Sequence, residues 1–213
     1  LDEAIAKKEV FARENETLNV LGRASDYKDP ETGAHIVRVS CYSRLLSESL
    51  GQSEALQDLI FYAAPLHDIG KLGIPDSILL KPGKLTSKEF EIIKTHTTIG
   101  FKILANPSSK YLKAGAVIAV SHHEKFDGTG YTKGLKGDEI PIFGRIVSIA
   151  DVFDALTTKR PYKDPWLFEK VVGQLIEERG RHFDPEIVDL FMENISKVKK
   201  IYDNENPGVL CNN

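Results

Sequence analysis

The sequence of 213 residues contains little sulfur, with one methionine and only two cysteines, Cys41 and Cys211. Cys41 falls in an apolar helical pattern and Cys211 in a polar tail, so we expect no structural disulfide between them. So few thiols also disfavour a structural zinc site, which usually takes several cysteine ligands. The sequence therefore predicts reduced cysteines, as is typical of a cytoplasmic protein.

Long apolar runs and a basic surplus are also absent. No segment approaches the roughly 18 apolar residues of a membrane span. The chain opens LDEAIAKKEV, without a methionine, so we expect no signal peptide and a piece of a longer polypeptide. The net charge is −3, whereas proteins that bind long nucleic acids usually carry a basic surplus. A small phosphate-bearing ligand needs only a few cations and remains compatible with this composition.

Helical periodicity is what the chain does have, because apolar residues recur at helical rather than alternating spacing. We predict a charged helix over residues 1–26 and a helix that opens at Thr86 or Ser87 as N-cap. Further helices are predicted at residues 34–50, 54–66, 112–122, 142–157, 166–179 and 185–201. Residues 124–141, rich in glycine, are predicted as a long loop of the kind that often carries function. The predicted fold class is all-α.

The histidines stand out by their neighbours. His67 is followed directly by Asp68, and His122 by His123. Asp151 lies in the apolar run IADVFD, where a carboxylate is costly unless it is paired or bound to a metal. Singly, each residue has an ordinary explanation as a hydrogen-bonded histidine, a helix cap or a buried ion pair. Together, imidazoles and carboxylates without sulfur suit catalytic iron, manganese or other first-row metals.

Short motifs in a fixed order join these residues. They are LHDIGK (66–71), KPGKLT (81–86), HHE (122–124), DGTGY (127–131), IP (140–141), RI (145–146), DVFDAL (151–156), RPYK (160–163) and HFDP (182–185). Their order over residues 26–192 resembles the HD-GYP domains of the HD phosphohydrolase superfamily. One position departs, since the name-giving Gly-Tyr-Pro reads Gly130-Tyr131-Thr132. Losing the proline frees φ and restores an N–H, so we expect a looser loop.

The resemblance implies a metal-dependent phosphodiesterase that hydrolyses cyclic di-GMP to pGpG and onward to GMP. It implies two or three divalent ions, iron or manganese, which generate a hydroxide for attack on the phosphorus. The implied metal ligands are Glu31, His35, His67, Asp68, His96, His122, His123 and Asp151. Asp68 would bridge two ions, with His67 and Asp151 on the first and His96, His122 and His123 on the second. Glu31, which favours a third ion, could instead be an ordinary charge near a helix start.

Further roles follow from the same resemblance. Lys71 is implied as a catalytic residue that contacts phosphate, and Tyr131, Arg160 and Lys163 as further substrate-binding residues. Asp154 is expected to orient a ligand or a water, and His182 to be structural.

The predicted architecture is an HD-domain helical bundle in three parts. Residues 1–26 form a connector helix, residues 27–201 the catalytic domain and residues 202–213 a flexible tail. The first helix could also be a plain solvated helix. As partners we expect a cyclic dinucleotide, an upstream receiver or sensor domain and a second copy of the chain, but no nucleic acid polymer and no membrane span. Alternative functions are hydrolysis of cyclic GMP-AMP, nucleotide binding without turnover, and hydrolysis of monomeric nucleotides.

Overall fold

The structure is a computed structural model that describes residues 2–28, 34–105, 108–159, 164–204 and 211. Within these ranges all regular elements are helical, apart from one isolated bridge between Arg179 and Phe183. The predicted all-α class is therefore confirmed. Among the helices described, none combines the length and the apolar character that a bilayer crossing requires.

Most helices follow one another through short connections, but a long glycine-rich loop separates α7 from α8. The α-helices are α1 (Asp2–Lys28), α2 (Ala34–Ser49), α3 (Glu54–Ala63), α4 (Asp76–Leu79), α5 (Ser87–Lys94), α6 (His96–Ile103), α7 (Lys110–Ser121), α8 (Ile142–Thr157), α9 (Phe168–Glu177), α10 (Pro185–Glu193) and α11 (Ile195–Tyr202). Short 3-10 turns cover Ala64–Leu66, Ile69–Gly73 and Gly137–Glu139. The capping residue of α5 is Thr86, whose side chain and that of Glu89 form a reciprocal capping box.

Two predicted helices differ from those observed. The segment predicted at 54–66 leaves α-helical geometry after Ala63, because Pro65 favours the start of a new, tighter 3-10 turn. The segment predicted at 185–201 divides at Asn194. The Asn194 side chain donates to Leu190 O and to Ser49 Oγ, both at 3.0 Å. Asn194 thereby uses local polar bonds that compete with a continuous helix.

The main core lies where α2, α3, α7 and α8 meet the C-terminal helices. Phe153 of α8 is fully buried, and its ring packs edge-on against Tyr42 at 5.3 Å and near Phe191 at 5.1 Å. Burial of such a ring contributes about 1.5–3 kcal/mol. A smaller cluster places Leu18 of α1 against Leu66 and neighbouring apolar residues. Helices α2 and α8 contribute side chains both to this core and to the site described below, so the site is attached to well-packed helices.

Cys41 and Cys211 form a disulfide, with their Cα atoms 5.6 Å apart. The prediction of no disulfide was therefore wrong. The two cysteines are 170 residues apart in sequence, and the pattern of the tail does not reveal that residue 211 returns to α2. A second contact accompanies the bond, since Arg44 Nη1 donates to Cys211 O at 3.1 Å.

Candidate metal centre

Seven histidine and aspartate side chains come together in two groups. The groups are Asp68 with His96, His122 and His123, and His35 with His67 and Asp151, and within each group the ligand atoms lie within 4.8 Å of one another. We refer to these seven side chains as the metal centre. They come from distant parts of the chain, because α2 carries His35, α8 carries Asp151, α6 begins at His96, and His122 follows α7 directly.

A glycine allows the two central segments to approach each other. A Cβ atom on Gly70 would lie 1.8 Å from the carbonyl oxygen of His96, far inside any real contact. Only glycine therefore lets the start of α6 lie against the turn that carries His67 and Asp68. The Gly in the sequence LHDIGK thus has a steric reason.

The histidine rings are oriented by their Nδ1 atoms. In three of them Nδ1 lies within hydrogen-bonding distance of a backbone carbonyl of the preceding turn. These pairs are His67 with Ala64 O (2.9 Å), His96 with Ile93 O (2.7 Å) and His122 with Ile118 O (3.1 Å). Because a carbonyl only accepts, a neutral ring must carry its proton on Nδ1 and direct the Nε2 lone pair into the centre.

His35 is oriented by a carboxylate instead. Its Nδ1 lies 2.8 Å from Oδ2 of Asp154, which is fully buried in α8. Arg38 donates from Nε to Asp154 Oδ1 at 2.5 Å and from Nη2 to Asp154 Oδ2 and Thr158 Oγ1, both at 2.9 Å. Burial opposes ionisation of Asp154, but the bonds from His35 and Arg38 lower its pKa below the usual range. Asp154 is placed where the resemblance implied an orienting role, and Arg38 is an additional contact that the sequence analysis missed.

Asp68 lies between the two groups. Its Oδ1 is 3.2 Å from His96 Nε2 and 3.6 Å from His122 Nε2, whereas its Oδ2 is 3.3 Å from His67 Nε2. Lys71 Nζ also lies 2.7 Å from Oδ2. Burial alone would raise the pKa of Asp68, but Lys71 and His67 hold it well below its usual value. Asp68 is thus an ionised carboxylate whose two oxygens face different histidine groups.

The surroundings shift the pKa values of the histidines in the centre in opposite directions. Burial would lower the pKa of His67, but the nearby carboxylates of Asp68 and Asp151 outweigh it and raise the pKa to about 10, so a cation that binds His67 must displace a proton from its ring. Burial lowers the pKa of His122 and, together with the neighbouring histidines, lowers that of His123 well below its usual value. His122 and His123 are therefore neutral at physiological pH, which is the form that binds a metal.

Several buried atoms of the centre lack a hydrogen-bonding partner. Within the part of the chain that the structure describes, this holds for Nε2 of His67, His96 and His122 and for Oδ1 of Asp68. Buried polar atoms are otherwise almost always satisfied, and unsatisfied ones cost stability. A convergent set of nitrogen and oxygen lone pairs is satisfied by a divalent cation. The residues present therefore fit a metal site, and the absence of sulfur ligands favours a catalytic rather than a structural ion.

Helix α1 supports the turn after Asp68 from outside. Ser25 Oγ donates to the backbone oxygen of Asp68 at 2.6 Å, and both groups are buried. Lys28 Nζ donates to Leu72 O at 2.9 Å and to Ile74 O at 2.7 Å. These carbonyls lie at the end of a 3-10 turn, where intrahelical donors run out. The N-terminal helix is therefore in direct contact with the turn that carries the central carboxylate.

The glycine-rich loop is held against the centre by buried polar bonds. The carboxylate of Glu124 is buried and accepts from the backbone N–H groups of Lys133 at 2.6 Å and Leu135 at 3.0 Å. Thr132, at the family's proline position, donates from Oγ1 to Thr97 Oγ1 at 2.6 Å. This bond opposes the loosening expected from the lost proline.

The other sequence-predicted residues fall into two sets. The ring of Tyr131 stacks on His123 with centroids 4.8 Å apart, beside the centre. His182 stacks on Phe183 at 4.2 Å, and its carbonyl accepts from Phe126 N at 3.0 Å, as a structural residue would. Burial lowers the pKa of His182 to about 4. Glu31, Arg160 and Lys163 lie outside the described residues.

Comparison with known proteins agrees with this site. The sequence pattern of the family described as HD domain matches residues 7–187. The chain is 47% identical over 193 residues to the cyclic di-GMP phosphodiesterase response regulator RpfG of Xanthomonas campestris pv. campestris, which covers 91% of this chain and 51% of that protein. It is 48% identical over 174 residues to 3'3'-cGAMP-specific phosphodiesterase 2 of Vibrio cholerae, over 82% of this chain and 33% of that protein. The chain thus spans about half or less of these relatives.

A solved structure shares the fold. The crystal structure of a cyclic GMP-AMP specific phosphodiesterase from V. cholerae superposes with a TM-score of 0.69 over 93% of this chain and 53% of that chain, at 19% sequence identity. The family pattern spans residues 7–187 and so includes every residue of the metal centre. This chain therefore belongs to the HD domain family.

Proposed function

We propose that this chain is a metal-dependent phosphodiesterase that hydrolyses cyclic di-GMP to pGpG and onward to GMP. The observation that carries the proposal is the placement of Asp68, whose two oxygens face two separate groups of candidate ligands. A bridging carboxylate of this kind suits a pair of ions rather than one. The curated relative at 47% identity, named as a cyclic di-GMP phosphodiesterase, supports the same reaction.

Each of the two ligand groups of the metal centre would bind one ion. His35, His67 and Asp151 would bind one ion, His96, His122 and His123 the other, and Asp68 both. When bound, a pair of divalent ions supplies a nucleophilic hydroxide at neutral pH and offsets charge on the phosphoryl oxygens.

The surrounding residues fix this arrangement. Asp154 and the backbone carbonyls hold the histidine rings in the ligating orientation. Lys71 donates to Asp68 Oδ2 and places a positive charge beside the position of a substrate phosphate.

The proposal also includes the identity of the ions, a third ion and further substrate contacts. Iron or manganese is favoured by the donor set of imidazoles and carboxylates. A third ion on Glu31, and phosphate contacts from Arg160 and Lys163, rest on the sequence resemblance alone. An upstream receiver or sensor domain is supported by RpfG, which is named a response regulator and of which this chain spans 51%.

Two further expectations belong to the proposal. Helix α1, with its exposed Ile5 and Val10, is the element on which we expect a homodimer to form. The proposed compartment remains the cytoplasm. Because Cys41 and Cys211 are paired, that location no longer has the support of reduced cysteines and rests on the nucleotide substrate alone.

A second candidate function is hydrolysis of 3'3'-cGAMP. It is favoured by the relative from V. cholerae at 48% identity that is named as specific for that nucleotide. Nucleotide binding without turnover is disfavoured, because all seven described candidate ligands converge as a catalytic centre would require.

Product analysis tests the proposal. The chain is incubated without oxygen with Mn²⁺ or Fe²⁺ and, in separate reactions, with cyclic di-GMP, 3'3'-cGAMP and 3',5'-cyclic GMP, and the products are separated by chromatography. We expect pGpG and then GMP from cyclic di-GMP, lost in Asp68→Asn. Asp189→Asn, which changes an aspartate that only pairs with exposed Arg179, is the matched control and should remain active. Preference for 3'3'-cGAMP would select the second candidate, and a folded, metal-loaded chain without any turnover would overturn both.

A further inference from the structure

Helix α5 contributes no buried side chain to the core. None of its residues is buried, yet its start is fixed by the capping box of Thr86 and Glu89. Lys81 Nζ adds hydrogen bonds of 2.9 and 2.7 Å to the two oxygens of Glu89. A helix this short is only marginally stable without packing. The hydrogen bonds that fix its first turn therefore suggest that its position is used for function. Its outward face is therefore a candidate for binding.

Two residues on one face of α5 lie beside the glycine-rich loop. Phe90 and Lys94 are four residues apart and so project from the same side of the helix. The Phe90 ring is 45% exposed and meets Tyr131 edge-on, with centroids 6.5 Å apart. Lys94 Nζ lies 5.0 Å from the Phe90 centroid and 5.5 Å from the Tyr131 centroid. Lys94 is also paired with Glu91 at 2.7 Å, a residue that is itself mostly exposed.

These rings continue into the metal centre. Tyr131 stacks on His123 at 4.8 Å with an interplanar angle of 28°, and His123 is a candidate ligand. A single ring therefore separates Phe90 from the centre. An exposed aromatic surface thus begins where a phosphodiester would be bound.

We propose that Phe90, Lys94 and Tyr131 form a subsite for the purine base next to the scissile phosphate. The inference rests on the proposed function, because a base attached through one ribose to a phosphate at the metals must lie close beside them. Stacking of a base needs exposed ring surface, which Phe90, at 45% exposure, offers and a core phenylalanine does not. The ammonium group of Lys94 lies over the Phe90 and Tyr131 rings, from where it can donate to O6 and N7 of a guanine that stacks on the exposed part of Phe90. Adenine presents an amino group in place of O6, so Lys94 favours guanine over adenine.

Kinetics of the whole chain loaded with Mn²⁺ test the subsite. The variants are Phe90→Ala, Phe90→Trp and Lys94→Met, and the matched control is Phe101→Ala, since Phe101 is 46% exposed on α6. For each variant, kcat and KM are measured with cyclic di-GMP, and inhibition constants with cyclic di-AMP and cyclic di-UMP. Melting temperature and metal content are measured on the same samples to detect a change in folding or in the metal centre.

Loss of stacking should appear in KM rather than in kcat. We expect Phe90→Ala to raise KM about tenfold, the size of one base stacked on one ring, with metal content unchanged. Phe90→Trp should restore KM, and binding of cyclic di-UMP, with its smaller bases, should weaken less than that of cyclic di-GMP. Lys94→Met should reduce the preference for cyclic di-GMP over cyclic di-AMP.

The failure of the subsite is distinguishable from the failure of the function. If the wild-type chain is active and Phe90→Ala has the same KM as Phe101→Ala, the subsite is wrong and the proposed function stands. Equal weakening of all three nucleotides would likewise assign Phe90 a merely structural role. A metal-loaded wild-type chain that neither hydrolyses nor binds cyclic dinucleotides would overturn both.

Discussion

Three ligand rings of the metal centre are buried, and each is oriented by a backbone carbonyl of the preceding turn, namely those of His67, His96 and His122. By contrast, helix α5, which carries Phe90 and Lys94, has no buried side chain. Four residues beside the metal centre lie on α5 or on the glycine-rich loop. We call them the rim, and they are Phe90, Lys94, Tyr131 and Thr132. The metal centre is preorganised by contacts that exist without a ligand, as ion binding requires. On the rim, Thr132 is held by a hydrogen bond to Thr97, but the Phe90 ring is 45% exposed. Under the proposed function, we therefore expect the metal centre to carry the chemistry and the rim to select the substrate.

The largest difference between the regions should follow from removing an orienting contact in the metal centre. We predict that Asp154→Asn lowers metal affinity by roughly 10- to 100-fold, because His35 loses its charged acceptor and Arg38 its partner. Activity at limiting Mn²⁺ should fall in parallel and recover in part at high Mn²⁺. Metal titration followed by calorimetry measures the change, and Asp189→Asn, at an exposed residue of α10, is the control. An unchanged metal affinity would mean that the centre does not depend on its outer contacts.

A smaller effect is expected where α1 supports the turn after Asp68. Lys28→Met removes two hydrogen bonds to the carbonyls of Leu72 and Ile74 and keeps most of the apolar stem. We predict that metal affinity falls about fivefold, the cost of roughly one hydrogen bond. Lys84→Met, at an exposed position in the loop between α4 and α5, is the control and should leave the metal affinity unchanged. Equal affinities for the two variants would show that α1 does not position the centre.

On the rim, a single hydroxyl should affect substrate and not metal. Thr132→Val removes the bond to Thr97 at nearly constant volume, and Thr132→Ser retains the hydroxyl. We predict about a threefold increase in KM for Thr132→Val, from the loss of part of one hydrogen bond, and little change for Thr132→Ser. Metal content should be the same in both. A loss of metal in Thr132→Val alone would show that Thr132 supports the metal centre. It would contradict the assignment of Thr132 to the rim.

The disulfide should affect the site least of all. Cys211→Ser leaves Cys41 as a buried thiol and opens a link that closes 170 residues. We predict a loss of about 2–4 kcal/mol in the free energy of unfolding, with kcat, KM and metal affinity unchanged at 25 °C. Urea unfolding of the variant and of the oxidised wild-type chain provides the comparison. A changed metal affinity would connect the C-terminal segment with His35, which shares α2 with Cys41.

Much of the fold could be predicted, because the apolar residues in segments such as 142–157 recur at the spacing of one helix face. The candidate ligands could be found only because motif order joined residues that no periodicity connects. Arg38 was missed because its role depends on the crossing of α2 and α8, and Thr97 because its partner lies 35 residues away.

Other failures have the same origin. Phe90 occupies an ordinary apolar position of a helical pattern, and only the structure shows that it faces outward beside Tyr131. The pairing of Cys41 with Cys211 likewise depends on a return of the chain that local sequence does not encode. Local patterns predict the elements, whereas contacts between distant elements decide which side chains meet.

The central claim is that Asp68 joins two metal positions, and counting bound ions tests it most directly. The chain and its Asp68→Asn variant, an uncharged side chain of nearly equal shape, are loaded with Mn²⁺ without oxygen, freed of excess ion and assayed by mass spectrometry. The account predicts at least two ions per wild-type chain and a reduced number in a variant that remains helical by circular dichroism. A single ion in the wild-type chain, or equal metal content in the two proteins, would contradict it.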